Sequence, residues 1–280
     1  MKSLFVAWKN KESGSGWFPV GRLDADIAAE RYEFRYVQGA LQAEKECGFV
    51  PFDSFPDFRK EYVSGELFPF FANRLQNPNR PSFHEYLRRL DLDKGQETSF
   101  DPIEVLAVSE GRRATDSLEV FPKVERTEGG TFEIKFFLHE LGYLPRVALD
   151  RILKLQPGED LSIAIQVERR KRSRCCGGPI EATNQATEYA IQLQTRDRLI
   201  IGYAPRYLLN DLFEVISRCS LVSSAQVSRV NPPPAPLGQR VLVVFKGCWP
   251  DGYQPMSGEE FRALAGAEST PSQMAFATDP

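Results

Sequence analysis

The residues with the clearest chemical potential lie in a basic run, ERRKRSR at 168–174, followed shortly by Gly177-Gly178-Pro179. Arginine and lysine bind phosphate groups through charge-assisted hydrogen bonds, and arginine does so bidentately. Tyrosine rings offer a face on which a nucleic-acid base can stack. A run of this kind is also typical of a solvated loop. The residues predicted to contact phosphates or bases are Arg169, Arg170, Lys171, Arg172, Arg174, Tyr189, Tyr203 and Arg206.

Metal and covalent chemistry find little support in the remaining residues. Five cysteines occur without C-x-x-C spacing, and the two histidines, His84 and His139, do not lie at ligand spacing from them. Cys175 has no identifiable base to activate it. His139 ends an apolar stretch, where a core or surface role is the usual one. We therefore predict no catalytic residue, no metal and no cofactor.

Composition gives the broad class of the protein. The chain has 280 residues, of which 42% are hydrophobic and 26% charged, so it has room for about two globular domains. The N-terminus lacks the apolar core of a signal peptide, and no later stretch is long enough to span a membrane, so we expect a cytoplasmic protein. The net charge of −3 limits any nucleic-acid contact to local patches.

The first part of the chain, residues 1–125, shows strand patterns followed by helical ones. Alternating apolar residues predict strands in SLFVAWKN, GWFPVGRL and RYEFRYV, and SLEVFPKV returns to strand. Helical spacing predicts helices in LFPFFANRLQ and SFHEYLRRLDL, the second capped by Ser82, and in DPIEVLAVSEG, capped by Asp101. The aromatic stretch FVPFDSFPDF, near residues 49–58, indicates packing beneath a loop.

The second part begins after RTEGG, a polar linker predicted at 126–130. Residues 131–249 alternate strands with two helices, in PRVALDRILKL and RYLLNDLFEVISRC, which suggests a small barrel or strongly curved sheet. The segment ATNQATEYAIQLQTRDRLIIGYAP predicts a hairpin. Residues 250–280 predict a short helix and a flexible tail. The predicted fold is α+β with two domains, an N-terminal small antiparallel sheet with helices and a C-terminal small β-barrel.

Two regions resemble known families. Residues 2–122 resemble the N-terminal subdomain of the toxin kinase HipA in the order of SLFVAWKN, PVGRL, YEFRYVQGAL, LFPFFANRL and DPIEVLAVSEGRRATDSLEVFP. The kinase domain that continues that family has no counterpart here, since we find no kinase catalytic-loop pattern. This resemblance therefore implies no phosphoryl transfer.

Residues 131–246 resemble a HIRAN domain, a module attached to DNA translocases and repair factors, through QPGEDLSIAIQVE, NQATEYAI and IIGYAPRYLLNDL. The resemblance implies an OB-like barrel that binds single-stranded DNA or DNA ends, and it adds Asn184 to the predicted binding residues. The chain departs from the family at two positions. Ala186 stands where the family has an aromatic residue that offers a stacking face to a base, and Thr187 stands where the family has an acidic residue that can accept from a 3′ hydroxyl. The matching positions are Gly158, Glu159, Asn184, Ala190, Ile191, Ile201, Gly202, Tyr203 and Pro205.

Three hypotheses follow. The preferred one is a non-enzymatic DNA-binding protein whose N-terminal half docks a partner such as a helicase, nuclease or helix-turn-helix protein. The alternative is a protein–protein interaction subunit of a toxin–antitoxin-like or phage-defence complex, which Ala186 and Thr187 favour. An enzyme of unrecognised type ranks last, because no nucleophile, base and metal converge.

Overall fold

The structure, a computed structural model, describes residues 1–10, 16–93, 100–113, 115–169, 187–219 and 222–264. At positions 168, 169, 187 and 188 it describes the backbone alone. The strands within these ranges are β1 (Lys2–Lys9), β2 (Trp17–Asp26), β3 (Arg31–Tyr36), β4 (Tyr62–Ser64), β5 (Leu118–Pro122), β6 (Thr131–Phe137), β7 (Asp160–Arg169), β8 (Thr187–Gln194), β9 (Ile200–Tyr203), β10 (Ser224–Val230) and β11 (Val241–Cys248). The α-helices are α1 (Gln38–Cys47), α2 (Pro69–Ala72), α3 (Phe83–Arg89), α4 (Pro102–Ser109), α5 (Arg146–Ile152) and α6 (Leu209–Cys219).

The first sheet is antiparallel, with the strand order β4-β3-β2-β1-β5. Alternation in β3 turns Tyr32, Phe34 and Tyr36 inward and leaves the charged residues between them outside. The loop at 49–58 covers this face, as predicted, and the rings of Phe34 and Phe55 stack with centroids 4.0 Å apart. This aromatic packing fixes the sheet against α2 and α4.

The helices of this part begin where the sequence indicates but differ in length. The Asp101 carboxylate caps α4 by accepting from the Ile103 and Glu104 amides. α2 ends after four residues, short of the predicted helix, and the proline-rich NPNRP segment separates it from α3. Ser82 occupies the N-cap position of α3, yet its hydroxyl accepts from the Gln76 side chain at 2.7 Å, so it does not cap the helix as predicted.

Helix α1 was not predicted from the sequence. It lies directly against β2, and a Cβ at Gly39 would approach the Pro19 carbonyl oxygen to 2.0 Å. Its buried positions are small, namely Gly39, Ala40 and Ala43. The helix therefore lacks the large apolar residues at helical spacing that reveal amphipathic helices.

The second sheet is a curled, antiparallel half-barrel with the order β6-β11-β10-β7-β8-β9. Its outer strands approach each other where His139, just after β6, and Tyr203, in β9, exchange backbone hydrogen bonds of 2.9 and 3.2 Å. Helix α6 contributes Leu212 and Val215 to the core, on the face that its periodicity predicts. The prediction of an α+β fold with a strongly curved sheet is confirmed.

One continuous core joins the two sheets. Phe5 and Phe121 of the first sheet belong to the same buried cluster as Phe136 and Phe245 of the half-barrel. The ring of Phe121 stacks on Tyr207, with centroids 4.5 Å apart. The division into domains at 1–125 and 131–249 stays a prediction.

The C-terminal segment, residues 250–264, contacts elements that belong to both sheets. The predicted helix is a single 3-10 turn, Glu259–Phe261, after which Arg262 and Leu264 bond to the backbone at Gln38 and Tyr36. Nearer its start, Tyr253 donates to Asp211 of α6 at 2.6 Å. The segment thus fastens the first sheet to the half-barrel. None of the helices described here is long and apolar enough to cross a membrane.

Candidate functional site

The first candidate site is a two-stranded arm formed by the ends of β7 and β8. These strands pair from Ser162 with Gln194 through to Arg169 with Thr187. Neighbouring β10 pairs with β7 only at Asp160 and Leu161, and β9 pairs with β8 only at residues 192–194. Among the strands that the structure describes, none therefore lies beside the last four pairs, from Gln166–Ala190 onward. We call these pairs the β7–β8 arm.

The predicted basic run continues along the chain from the last residue of β7 in the arm, Arg169. Arg169 is the last residue of β7, and its backbone alone is described. The predicted contacts Arg170, Lys171, Arg172, Arg174 and Asn184 lie outside the described residues, as do Cys175 and Ala186. Because a strand rises about 3.3 Å per residue, the four positions of the arm extend roughly 13 Å along β7.

Tyr189 and Arg206 are brought to the base of this arm. The Tyr189 hydroxyl donates to the Asn210 side chain at 2.5 Å, and its ring packs on Phe213 with centroids 4.6 Å apart. Partial burial, with the charges of Glu214 and Asp211, raises the pKa of Tyr189, so it stays neutral at physiological pH. Arg206 lies in the segment between Ala204, which bonds to Ile191 of β8, and Asn210.

Tyr203 faces the other side of the sheet from Tyr189. It pairs with Gln192, whereas Tyr189 pairs with Val167, and residues alternate between faces along β8. Its hydroxyl lies 3.5 Å from Gln166 Oε1, on a polar outer face. A single ligand base therefore cannot contact both rings from one face of the arm.

Two glycines of the HIRAN-like pattern have structural explanations. Gly202 has φ +147°, and a Cβ there would lie 2.8 Å from Leu138 Cβ, so the glycine permits β9 to close against the chain after β6. Gly158 has φ +84° and its amide bonds to Val227 of β10 at 2.8 Å. Both residues shape the curl of the half-barrel.

A second candidate is a buried charge cluster between the two sheets. It consists of Glu110 at the end of α4, Arg112, Glu119 of β5 and His139. Arg112 Nε donates to Glu110 at 2.9 Å and its Nη2 donates to Glu119, while His139 Nε2 lies 2.8 Å from Glu110 Oε1. Trp17 Nε1 completes the shell of Glu119 at 3.1 Å.

Electrostatic interactions within this cluster hold the Glu119 carboxylate ionised. Burial alone would raise the pKa of Glu119, but the charge of Arg112, together with that of His139 and the Arg112 hydrogen bond, lowers the pKa to about 2. The same carboxylates raise the pKa of Arg112 above its ordinary value despite burial. Burial and the charges of Glu110 and Glu119 raise the pKa of Tyr207, whose hydroxyl lies 3.4 Å from Glu110.

The cluster has ligand atoms suited to a metal, since those of Glu110, Glu119 and His139 lie within 4.8 Å of one another. However, the guanidinium of Arg112 already contacts all three side chains. A divalent cation would have to displace this positive charge, so the residues present do not fit a metal. The side chains of both glutamates are 3% exposed, and a substrate therefore has no access to them.

Sequence reasoning missed this cluster. Its members come from α4, the following loop, β5 and the end of β6, and no short-range spacing connects them. The available signal was weak, namely His139 at the end of an apolar strand, for which we expected a core or surface position. The structure places it in the core, 7% exposed.

Comparison with known proteins finds no matching protein-family model, no matching curated protein and no matching solved structure.

Proposed function

We propose that this chain is a non-enzymatic nucleic-acid-binding protein that engages single-stranded DNA or DNA ends through the β7–β8 arm. The observation that carries the proposal is the position of the arm, which extends beyond its neighbouring strands and leads into the basic run at 169–174. Backbone phosphates would contact that run and Arg206, and the partly buried Tyr189 would contact a base through its ring. The HIRAN-like pattern supports the same proposal.

The proposal is tested by fluorescence anisotropy with labelled single-stranded, blunt and 3′-overhang DNA at low and physiological salt. Replacing Arg170, Lys171 and Arg172 by alanine removes three of the predicted phosphate contacts. We expect a loss of affinity of about tenfold or more at physiological salt and a smaller dependence of binding on salt concentration. The matched control removes three exposed cations elsewhere, Lys45, Arg59 and Arg146, and should retain affinity.

End recognition is tested with the same DNA carrying a 3′-phosphate. Binding that disappears on blocking would support recognition of the 3′ end despite Ala186 and Thr187. Binding indifferent to the block would support contact with the backbone alone. Equal affinity of the arm variant and the wild-type protein would refute the proposed surface.

A second candidate function, docking a protein partner, is favoured by a separate observation. Tyr143, in the 3-10 turn that precedes α5, and Val147, in the first turn of α5, are 87% and 58% exposed, which is unusual for large apolar side chains four residues apart. Absence of DNA binding at any salt concentration, with loss of a partner on substitution of Tyr143, would favour an interaction subunit.

A further inference from the structure

A polar cleft with a volume of about 500 Å³ lies away from the β7–β8 arm. Its walls come from the connection between α2 and α3, the first turn of α3, the end of α4 with the loop that follows it, and Gln239 in the connection between β10 and β11. Its size is typical of sites for small-molecule ligands. The polar side chains of the wall include Asn73, Gln76, Asn77, Ser82, Ser109 and Gln239.

Four arginines line this cleft, and none of the described lining residues is acidic. Arg74 and Arg112 are anchored by ion pairs with Asp116 and with the buried glutamates behind Arg112. Arg80 and Arg113 form no ion pair with any described residue, and both are exposed. The cleft therefore presents two uncompensated guanidinium groups, together with the 37% exposed guanidinium of Arg112.

Both rims of the cleft are held in place before any ligand arrives. On one side, the buried Arg74 donates to the Gly111 carbonyl at 2.9 Å and to Asp116 at 2.6 Å, which fixes the loop that carries Arg112 and Arg113. On the other side, the Asn77 side chain accepts from the Asn79 amide at 2.9 Å. The Arg80 amide donates to the Asn77 carbonyl at 3.1 Å. The backbone that carries Arg80, Arg112 and Arg113 is therefore preorganised, which lowers the conformational cost of binding.

The composition of the wall selects the ligand class. Arginine forks match the oxygens of phosphate groups bidentately, and amide and hydroxyl side chains bond to phosphate or sugar oxygens. The single aromatic residue among the described lining residues, Tyr86, is 6% exposed and offers no open face to a base. We propose that this cleft binds the oligophosphate group of a ligand through Arg80, Arg112 and Arg113, without recognising a base.

This site goes beyond the proposed function, because it uses none of the residues of the arm. Its phosphates could belong to a free nucleotide or to a nucleic-acid backbone. The test measures binding of ADP, inorganic tripolyphosphate and adenosine by titration calorimetry, and of a labelled oligothymidine by fluorescence anisotropy. The variant R80Q/R113Q removes the two exposed charges of the cleft. The control variant R59Q/R146Q removes two exposed charges outside the cleft, so the two variants have the same net charge.

We expect ADP and tripolyphosphate to bind competitively, adenosine not to bind, and R80Q/R113Q to weaken phosphate binding about tenfold or more while R59Q/R146Q stays within about twofold. If ADP does not bind, and R80Q/R113Q binds oligothymidine more weakly than wild type while R59Q/R146Q does not, the site is assigned to nucleic-acid phosphates. The proposal is overturned if wild-type protein binds neither probe class, or if the two variants behave alike. Loss of DNA binding on changing the arm leaves the ADP measurement unaffected, so the two proposals fail separately.

Discussion

Replacing Arg112 by methionine tests whether the buried cluster behaves as a compensated charge network. The substitution keeps an unbranched stem and removes the positive charge that Glu110 and Glu119 share. Arg112 Nε lies 2.9 Å from Glu110, and its Nη2 contacts Glu119. Breaking a buried ion pair by removing one partner costs about 3–5 kcal/mol, because the remaining charge is stranded away from water. Since the guanidinium is 37% exposed and partly screened, we expect about 3 kcal/mol at neutral pH.

The pH dependence of this loss has a definite sign. In the wild-type protein the pKa of Glu119 is lowered to about 2 from an ordinary value of 4.5, so its contribution to stability is present above pH 4.5 and is lost as the pH falls toward 2. Without Arg112, burial dominates and the carboxyl takes up a proton at higher pH. The stability difference between the two proteins should therefore narrow below about pH 4.

Urea unfolding followed by circular dichroism at neutral and acidic pH measures both effects. Arg113→Met is the matched control. Arg113 is the next residue in the chain, and its own side chain is exposed and forms no ion pair with the described residues. A loss below about 1 kcal/mol at neutral pH, or a difference that widens on acidification, would show that Arg112 does not hold these carboxylates ionised.

Three further predictions concern the contacts that join and shape the two sheets. The Asp91 carboxylate accepts from Lys135 and Arg229 at 2.8 and 3.0 Å. Partial burial alone would raise the pKa of Asp91, but these two cationic partners outweigh it, and the pKa is lowered. Asp91→Asn should therefore cost about 1–2 kcal/mol in urea unfolding at neutral pH. The cost should decrease as the pH falls below the ordinary carboxyl pKa and should vanish only below the lowered pKa of the folded protein. Tyr253→Phe, which removes the 2.6 Å bond to buried Asp211, should cost about 1–2 kcal/mol and leave far-ultraviolet circular dichroism unchanged; a neutral effect would show that the C-terminal segment is not fastened there. Gly202→Ala should cost about 2 kcal/mol or more, because residue 202 has a positive φ and an added Cβ would contact Leu138. The control Gly238→Ala, whose Cβ would meet nothing within 4 Å, should be tolerated. Equal melting temperatures of these two variants would contradict the strain at Gly202.

Much of the secondary structure could be predicted from the sequence, because the deciding signals are local. Alternation in β3 and the Asp101 cap of α4 depend on residues a few positions apart. Helix α1 was missed because its buried side chains are small and it depends on a close approach to β2. The shortness of α2 was missed because apolar residues at helical spacing there pack as an aromatic loop instead.

For the candidate sites, the sequence determined the basic run and its position between two strands, since charge and β-pattern are readable residue by residue. Only the tertiary structure decided that Tyr189 and Tyr203 lie on opposite faces, because this depends on the register of β8 and β9. The charge cluster and the arginine cleft are likewise tertiary, since Arg80 and Arg113 belong to different elements. Electrostatic interactions act through space, and sequence separation carries no information about which charges the fold brings within a few ångströms.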